Sequence, residues 1–357
     1  MIRKTGIIEK VKGFYATSSN LFICDNNGML YINTKNIQSN VDGTTLLVIK
    51  KRLFFLSSIE NKLYIYSNAS LVAIPYACWP TTVINDDILA SEYDFIDRRY
   101  KVFLFNFKKN QIINEIKKSL DIWGLLRNQD VIYFYGKSKN SLNNISLLTG
   151  EYEWELDLSG RKNPPESREE EAQIRQLVGI WQNQLIITMT NNELISIDTQ
   201  TGKILWETKQ LTAQVNQGPS YKWRGHLSFN GCHIESGKLY EIVGSVYYSI
   251  DLLTQAAEIL WQDPRSEDYI TVQHRTYTED YIYFTGSVDG AFQAHIVGVF
   301  NRKTLSLEWI EDMSLPISPS MGYPASLNQP PQVTDNKLYV LDSGGTLHIF
   351  EKESSTE

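Results

Sequence analysis

Three cysteines, five histidines and a scatter of carboxylates are the residues of this chain best suited to chemistry, and their spacing decides how much they can do. Cys24, Cys78 and Cys232 are far apart, odd in number and form no CxxC pair. That is neither a disulfide framework nor a zinc site, and it fits a reducing compartment. One stretch, HLSFNGCHIESG (226–237), gathers ligand types in His226, Cys232 and His233. Its spacing matches no standard zinc motif, and in an extended strand Cys232 and His233 point to opposite faces. A packed histidine is the simpler reading, so no metal is expected. Asp86, Asp87, Glu92 and Asp94 lie close together and could serve as the carboxylate pair of a glycosidase. Surface turns also collect carboxylates without any chemistry. GxSxG, HExxH and a Gly-rich phosphate loop between strand and helix are all missing. GSVDG (286–290) and DSGG (342–345) fall where turns need glycine and aspartate anyway. No catalytic residue is assigned.

The elements that must position any site are strands. The 357 residues are 42% hydrophobic and 21% charged, an ordinary globular balance. Twenty Tyr, fourteen Phe and eight Trp give a skew toward residues that suit a pleated, half-buried surface. A net charge of −7 argues against a nucleic-acid binder and would suit a basic partner. The N-terminus MIRKTGIIEKVKGFYATSSN has an apolar run too short for a signal peptide, and no run is long enough to span a membrane. We therefore expect a soluble, cytoplasmic protein.

One unit recurs: a short apolar strand, a polar turn, then an alternating strand. It reads LFICDNNGMLYI (21–32), RLFFLSSIENKLYIY (52–66), ILASEYDFIDRRYKVFLF (88–105) and VIYFYGKSKNSLNNISLL (131–148) in the first half of the chain. QLIITMTNNELISI (184–197), KLYEIVGSVYYSI (238–250), YIYFTGSVDGAFQAHIVGVF (281–300) and KLYVLDSGGTLHIF (337–350) follow. Eight hairpins in this length give roughly 45 residues per unit, the period of a propeller blade. Upstream strands are expected in 45–51, 123–129, 176–183 and 227–231, and downstream ones in 151–158, 203–209, 258–263 and 306–313. That makes four strands per unit. The Glu-rich start of ESREEEAQIRQLVG (166–179) could form a short helical turn.

The downstream segments carry a further pattern. LISIDTQTGKILWE (194–207) contains Asp198, Thr201, Gly202 and Trp206. Thr149, Gly150 and Trp154 repeat the Thr-Gly-Trp part, with Ser146 in the Asp position. Asn301, Thr304 and Trp309 repeat it with Leu305 replacing the glycine, and Asp251, Thr254 and Trp261 form a copy two residues longer. The pattern resembles the repeat of the PQQ-like (quinoprotein-type) β-propeller family, most clearly over residues 143–313. In that family the Trp docks one blade on the next, and the Thr-Gly pair makes the turn before it, where glycine accepts positive φ. The family's enzymes hold a quinone and calcium with adjacent cysteines and a ligand set. None of these can be matched here, so the resemblance implies fold without cofactor.

The fold expected is all-β: a single closed β-propeller over 1–357, with a polar tail at about 353–357. Eight four-stranded antiparallel blades are expected, seven being the alternative. The last unit (331–353) lacks a fourth strand, and TGIIEKV (5–11) reads as that strand after a Thr-Gly turn. Three long connections, 160–173, 210–225 and 314–331, should emerge on one face around the channel mouth. Tyr221, Lys222, Trp223, Arg224 and Tyr323 are interface types, beside acidic Glu166, Glu169, Glu170 and Glu171. The expected function is non-catalytic protein binding through this face, as a scaffold or an immunity-type inhibitor. The partner would be another protein of basic charge and the chain a monomer by itself. A propeller enzyme, glycosidase-like or quinone-dependent, is the alternative.

Overall fold

The computed structural model describes residues 2–352 except 40, 42–45, 50, 51, 58, 59, 61, 68, 69, 75–78, 85, 86, 95–98, 107, 108, 110, 117–124, 136–138, 166, 209–230, 266–269, 289–292, 314, 316 and 318–323. Every regular element among them is a strand. β1 (Ile2–Ile8) comes first in the chain and finds its partner last. The first sheet is then β2 (Val11–Ala16), β3 (Leu21–Asp25), β4 (Leu30–Ile32) and β5 (Lys35–Gln38). The second is β6 (Leu47–Ile49), β7 (Arg52–Ser57), β8 (Lys62–Ser67) and β9 (Ser70–Ile74). The third is β10 (Trp79–Ile84), β11 (Asp87–Asp94), β12 (Arg99–Asn106) and β13 (Gln111–Ile116). The fourth is β14 (Leu125–Asn128), β15 (Val131–Tyr135), β16 (Ser141–Ser146) and β17 (Tyr152–Asp157). The fifth is β18 (Ile174–Trp181), β19 (Gln184–Met189), β20 (Leu194–Asp198) and β21 (Ile204–Thr208). The sixth is β22 (His233–Glu235), β23 (Lys238–Val243), β24 (Val246–Asp251) and β25 (Ala257–Gln262). The seventh is β26 (Ile270–Tyr277), β27 (Tyr281–Val288), β28 (Ile296–Asn301) and β29 (Ser306–Asp312). The eighth is β30 (Gln332–Val333), β31 (Lys337–Leu341) and β32 (Leu347–Lys352), with β1 as its fourth strand.

Each sheet is an antiparallel meander. Where burial is described, the two middle strands are mostly buried, as β19 and β20 are, whereas β17 alternates half-buried and exposed. A strand covered on both faces by neighbouring sheets has no polar face to show, so its sequence is continuously apolar. Successive sheets share cores: Leu30 with Phe55, Val102 with Phe134, Leu142 with Ile187, and Leu194 with Tyr248. Tyr247 joins Phe284 across the next junction, Val297 joins Phe350, and Tyr339 joins Phe14. The second and third sheets meet where β6 lies beside β10. Contacts of β14 with β18, β18 with β22, and β2 with β30 place the first strands innermost, which leaves each fourth strand as an outer edge.

β1 pairs with β32 from Ile2↔Lys352 to Ile8↔Leu347. The strand expected at 5–11 therefore lies earlier, and Thr5-Gly6 is no turn. The pair sits inside the strand at a register shift, and the turn comes instead at Lys10, which has φ 61°. Among the described residues of 166–179 no helical turn forms; Ile174–Trp181 is a strand, favoured by its β-branched and aromatic residues. The strand expected at 227–231 lies mostly outside the described residues, and β22 begins at His233. GSVDG is less a turn than expected, since Gly286 to Val288 belong to β27.

The turns into β17, β21, β25 and β29 share one geometry. Asp198 Oδ1 accepts hydrogen bonds from the Gln200 and Thr201 amides at 3.1 and 2.7 Å and from Thr201 Oγ1 at 2.8 Å. These bonds, the Thr201 hydroxyl first, hold the Asp198 carboxyl below its usual range. Asp251 does the same with Leu253 and Thr254; Asn301 Oδ1 accepts from the Lys303 and Thr304 amides, while the Thr304 hydroxyl bonds to Ser306. The residue after Thr has positive φ in every copy: Gly150 72°, Gly202 69°, Gln255 62°, Leu305 53°. A register shift follows, and Trp154, Trp206, Trp261 and Trp309 each come directly after the extra residue. The two extra residues of Trp261's copy lengthen the ladder before the shift, so Trp261 pairs with Tyr247, two positions further from the turn than Trp206 opposite Ser196.

All four indoles are half-buried rather than enclosed between sheets. Trp154 Nε1 donates to the Thr199 carbonyl of the next sheet at 3.0 Å, and a Cβ on Gly202 would lie 2.6 Å from that ring. Gly202 is thus required twice, by its φ and by the indole laid over it. Trp261 meets Phe300 edge-on at 5.0 Å and Trp309 meets Phe350 at 5.3 Å. Trp206 packs on the sixth sheet but donates within its own, to Gln184 Oε1 at 3.1 Å. In the third sheet Asn114 stands in the Trp position and donates to the Leu147 carbonyl at 2.9 Å.

Candidate partner-binding face

The segment 158–173 leaves β17 and returns to β18 as a small hairpin. Asn163 N donates to Glu170 O at 2.9 Å and Ala172 N to Arg161 O at 2.8 Å, and Asn163 Nδ2 ties the carbonyls of Glu169 and Glu171. Thr190 Oγ1 donates to Asn163 Oδ1 at 2.8 Å, anchoring the hairpin to the turn between β19 and β20. Arg161 clamps the base with hydrogen bonds to Glu193 Oε2 (2.6 Å) and Glu207 Oε2 (2.5 Å). Burial alone would lower the Arg161 pKa, but its bonds to Glu207 and Glu193 raise it, so the clamp stays charged. The hairpin is a loop held rigid by the strands beneath it.

Glu169, Glu170 and Glu171 are all exposed on this hairpin. They are not three equivalent charges. Glu171 accepts from Asn140 Nδ2 at 2.7 Å, and Glu170 pairs with Lys162 at 3.1 Å, a solvent-exposed contact of little energetic weight. The described part of 314–331 lies on the same kind of turn. Leu327 N donates to Ala294 O, and Ser326 exchanges hydrogen bonds with Ser343, in the turns before β28 and β32. Both segments thus sit on the face formed by the turns between middle strands. Tyr221, Lys222, Trp223, Arg224, Tyr323, Glu166, Asp86 and His226 lie outside the described residues, as does the whole of 210–225.

Inside the sixth sheet, Glu241 on β23 is fully buried. Its Oε2 accepts from Cys232 Sγ at 2.9 Å and Tyr248 OH at 3.0 Å, and Arg275 Nη1 of the seventh sheet lies 3.4 Å from Oε1. Burial, with the Glu241 charge next, pushes the Cys232 thiol and the Tyr248 phenol well above their usual values. A protonated, sealed thiol is no nucleophile, so the cluster cross-links two sheets. His233 stacks on Tyr277 at 5.2 Å instead of joining Cys232. No group of three or more His, Cys, Asp or Glu among the described residues could hold a metal ion. In the eighth sheet buried His348 Nε2 meets Asp342 Oδ2 at 2.9 Å. Sequence reasoning missed Glu241, Arg275 and this pair. The signal for Glu241 was available: it stands between Leu239 and Val243 on the face that period two reserves for apolar side chains.

No family model matches the chain, and no curated protein matches it in sequence. Among solved structures it is similar to the computationally designed Ika8 protein, with a TM-score of 0.60 and 10% identity over 96% of both chains. It is also similar to BamB from Moraxella catarrhalis, with a TM-score of 0.57 and 10% identity over 99% of this chain and 100% of that one. At such identity the likeness is one of fold, and the fold is of the β-propeller type.

Proposed function

We propose that the chain is a closed eight-bladed propeller that binds a protein partner, without catalysis, through the face carrying segments 160–173, 210–225 and 314–331. The eight sheets with shared cores and the pairing of β1 with β32 support the closed ring. The observation that carries the binding reading is the hairpin at 160–173: long, solvent-facing and bearing three exposed glutamates on its returning arm, yet pinned by Arg161, Asn163 and Asn140. A preorganised loop loses little further entropy on docking. The exposed glutamates favour a basic partner and would hasten encounter. An enzymatic reading has less support, because the buried Glu241 is sealed and charge-paired.

Affinity capture from the native host, followed by binding measurements on the identified partner, tests this. Trp223→Ala with Arg224→Ala should weaken the complex by more than about 2 kcal/mol with little change in melting temperature. Reversing the charges of Glu169 and Glu170 should slow association more than it speeds dissociation. A complex whose contacts lie on the opposite face, among the turns into the fourth strands, overturns the proposal.

A further inference from the structure

Eight outer strands end the eight sheets, and each presents an edge to which another strand could add. Proteins blunt such edges with charge and with bulges. Seven of the eight carry both devices. β1 has Arg3 and Lys4, β5 Lys35, β13 Glu115, β17 Glu153, β21 Glu207, β25 Glu258 and β29 Glu308. Each of those strands also breaks register against its inner neighbour. The exception is β9. Its sequence SLVAI has no charge, and it pairs with β8 without a shift from Leu63↔Ile74 to Ser67↔Ser70. Val72 at its centre is 51% exposed and Ala73 is exposed beside it, while Leu71 turns inward onto the core shared with the first sheet.

We propose that β9 is a strand-addition edge and that its occupant is β9 of a second copy of this chain, paired antiparallel about a two-fold axis near Val72. The edge asks for an extended, uncharged strand with small or β-branched side chains, and β9 itself has that chemistry. An isologous contact places each residue against its own kind or its mirror position. Such a contact would bring charges of one sign from both copies to the junction on each of the other seven edges, and it brings none on β9. Five residues a side make a contact below the ~1,200 Å² of standard interfaces, so the dimer is weak and forms in the range of about 10 µM to 1 mM. The chain is then a monomer when dilute, as its sequence leads one to expect, and self-associates when concentrated.

Sedimentation equilibrium across that range tests the proposal. Wild type should show a reversible monomer–dimer equilibrium. Val72→Lys should weaken it at least about tenfold with an unchanged melting temperature, because it brings two cations together at the axis. Mixing Val72→Lys with Val72→Glu should restore a dimer. Should either variant fail to fold, hydrogen exchange on wild type gives an independent reading: amides of 70–74 should gain protection with concentration while those of 204–208 do not. A monomer up to 1 mM, a dimer indifferent to Val72→Lys, or exchange at 70–74 that ignores concentration overturns the proposal. So does a dimer whose protection maps to another edge.

Discussion

Replacing Gly202 by alanine should destabilise the protein far more than the same change at Gly150, although both glycines hold the same turn position with φ of 69° and 72°. Backbone strain is shared: an L-residue in the left-handed region costs about 1–2 kcal/mol. The neighbours differ. A Cβ at 202 would stand 2.6 Å from Cδ2 of Trp154, a contact carbon atoms do not make, whereas a Cβ at 150 meets nothing nearer than the Asn114 amide at 3.6 Å. Forcing the indole aside adds an overpacking cost of about 1–3 kcal/mol and strains its bond to Thr199. Gly202→Ala should therefore cost about 2–5 kcal/mol and Gly150→Ala about 1–2. Urea denaturation in a double-mutant cycle isolates the contact. In a Trp154→Ala background the Gly202→Ala cost should fall to that of Gly150→Ala, a coupling of about 1–3 kcal/mol. Additive costs for Trp154→Ala and Gly202→Ala, or equal costs at the two glycines, would refute the idea that the indole rests on the turn.

Three other perturbations follow from the geometry. Deleting residues 1–8 uncovers the β32 edge along Leu347–Lys352 and should lower the melting temperature by well over 5 °C, a loss of several kcal/mol; an unchanged melt would contradict the terminal pairing. Gln255→Gly removes a side chain held at φ 62° and should raise stability by up to about 1 kcal/mol, read from the urea midpoint. Burial would raise the Asp342 carboxyl, but hydrogen bonds from His348, then Thr346 and Gly344, hold it below its usual value of 3.8. A depressed folded-state pKa contributes stability above 3.8 that is lost as pH falls through the folded value. Asp342→Asn should therefore cost about 1–3 kcal/mol at neutral pH, with a gap from wild type that narrows below pH 3.8.

Strands were legible because their signal is local. All eight recurrent hairpins correspond to middle-strand pairs, such as Leu185 to Ile197 in β19 and β20, whose apolar runs follow from burial on both faces. Turn chemistry was legible for the same reason, since Asp198, Thr201 and Gly202 interact within five residues. Thr5-Gly6 shows the limit: the same dipeptide that makes a turn at Thr201-Gly202 makes a bulge here, because β32 supplies a ladder that the local sequence cannot reveal. The candidate face was legible only as loop length. The structure adds what length cannot say, that Glu171 turns back to Asn140 while Arg161 pins the base. Nor could four tryptophans announce that their rings would be half-buried, since the partner of Trp154 is a turn more than forty residues away. On that geometry Trp206→Ala should cost nearer about 2 kcal/mol than the 3–5 of an enclosed ring.

The pairing of β1 with β32 also sets the timing of synthesis. Thr5 and its partner Ile349 are 344 residues apart, so β1 waits during synthesis for β32. At about 5–20 residues per second that wait is roughly 20–70 s, during which the earlier sheets can fold while β1 has no partner strand. A nascent chain cut short anywhere before Leu347 leaves Ile7 and Ile8 without the β32 edge that they join.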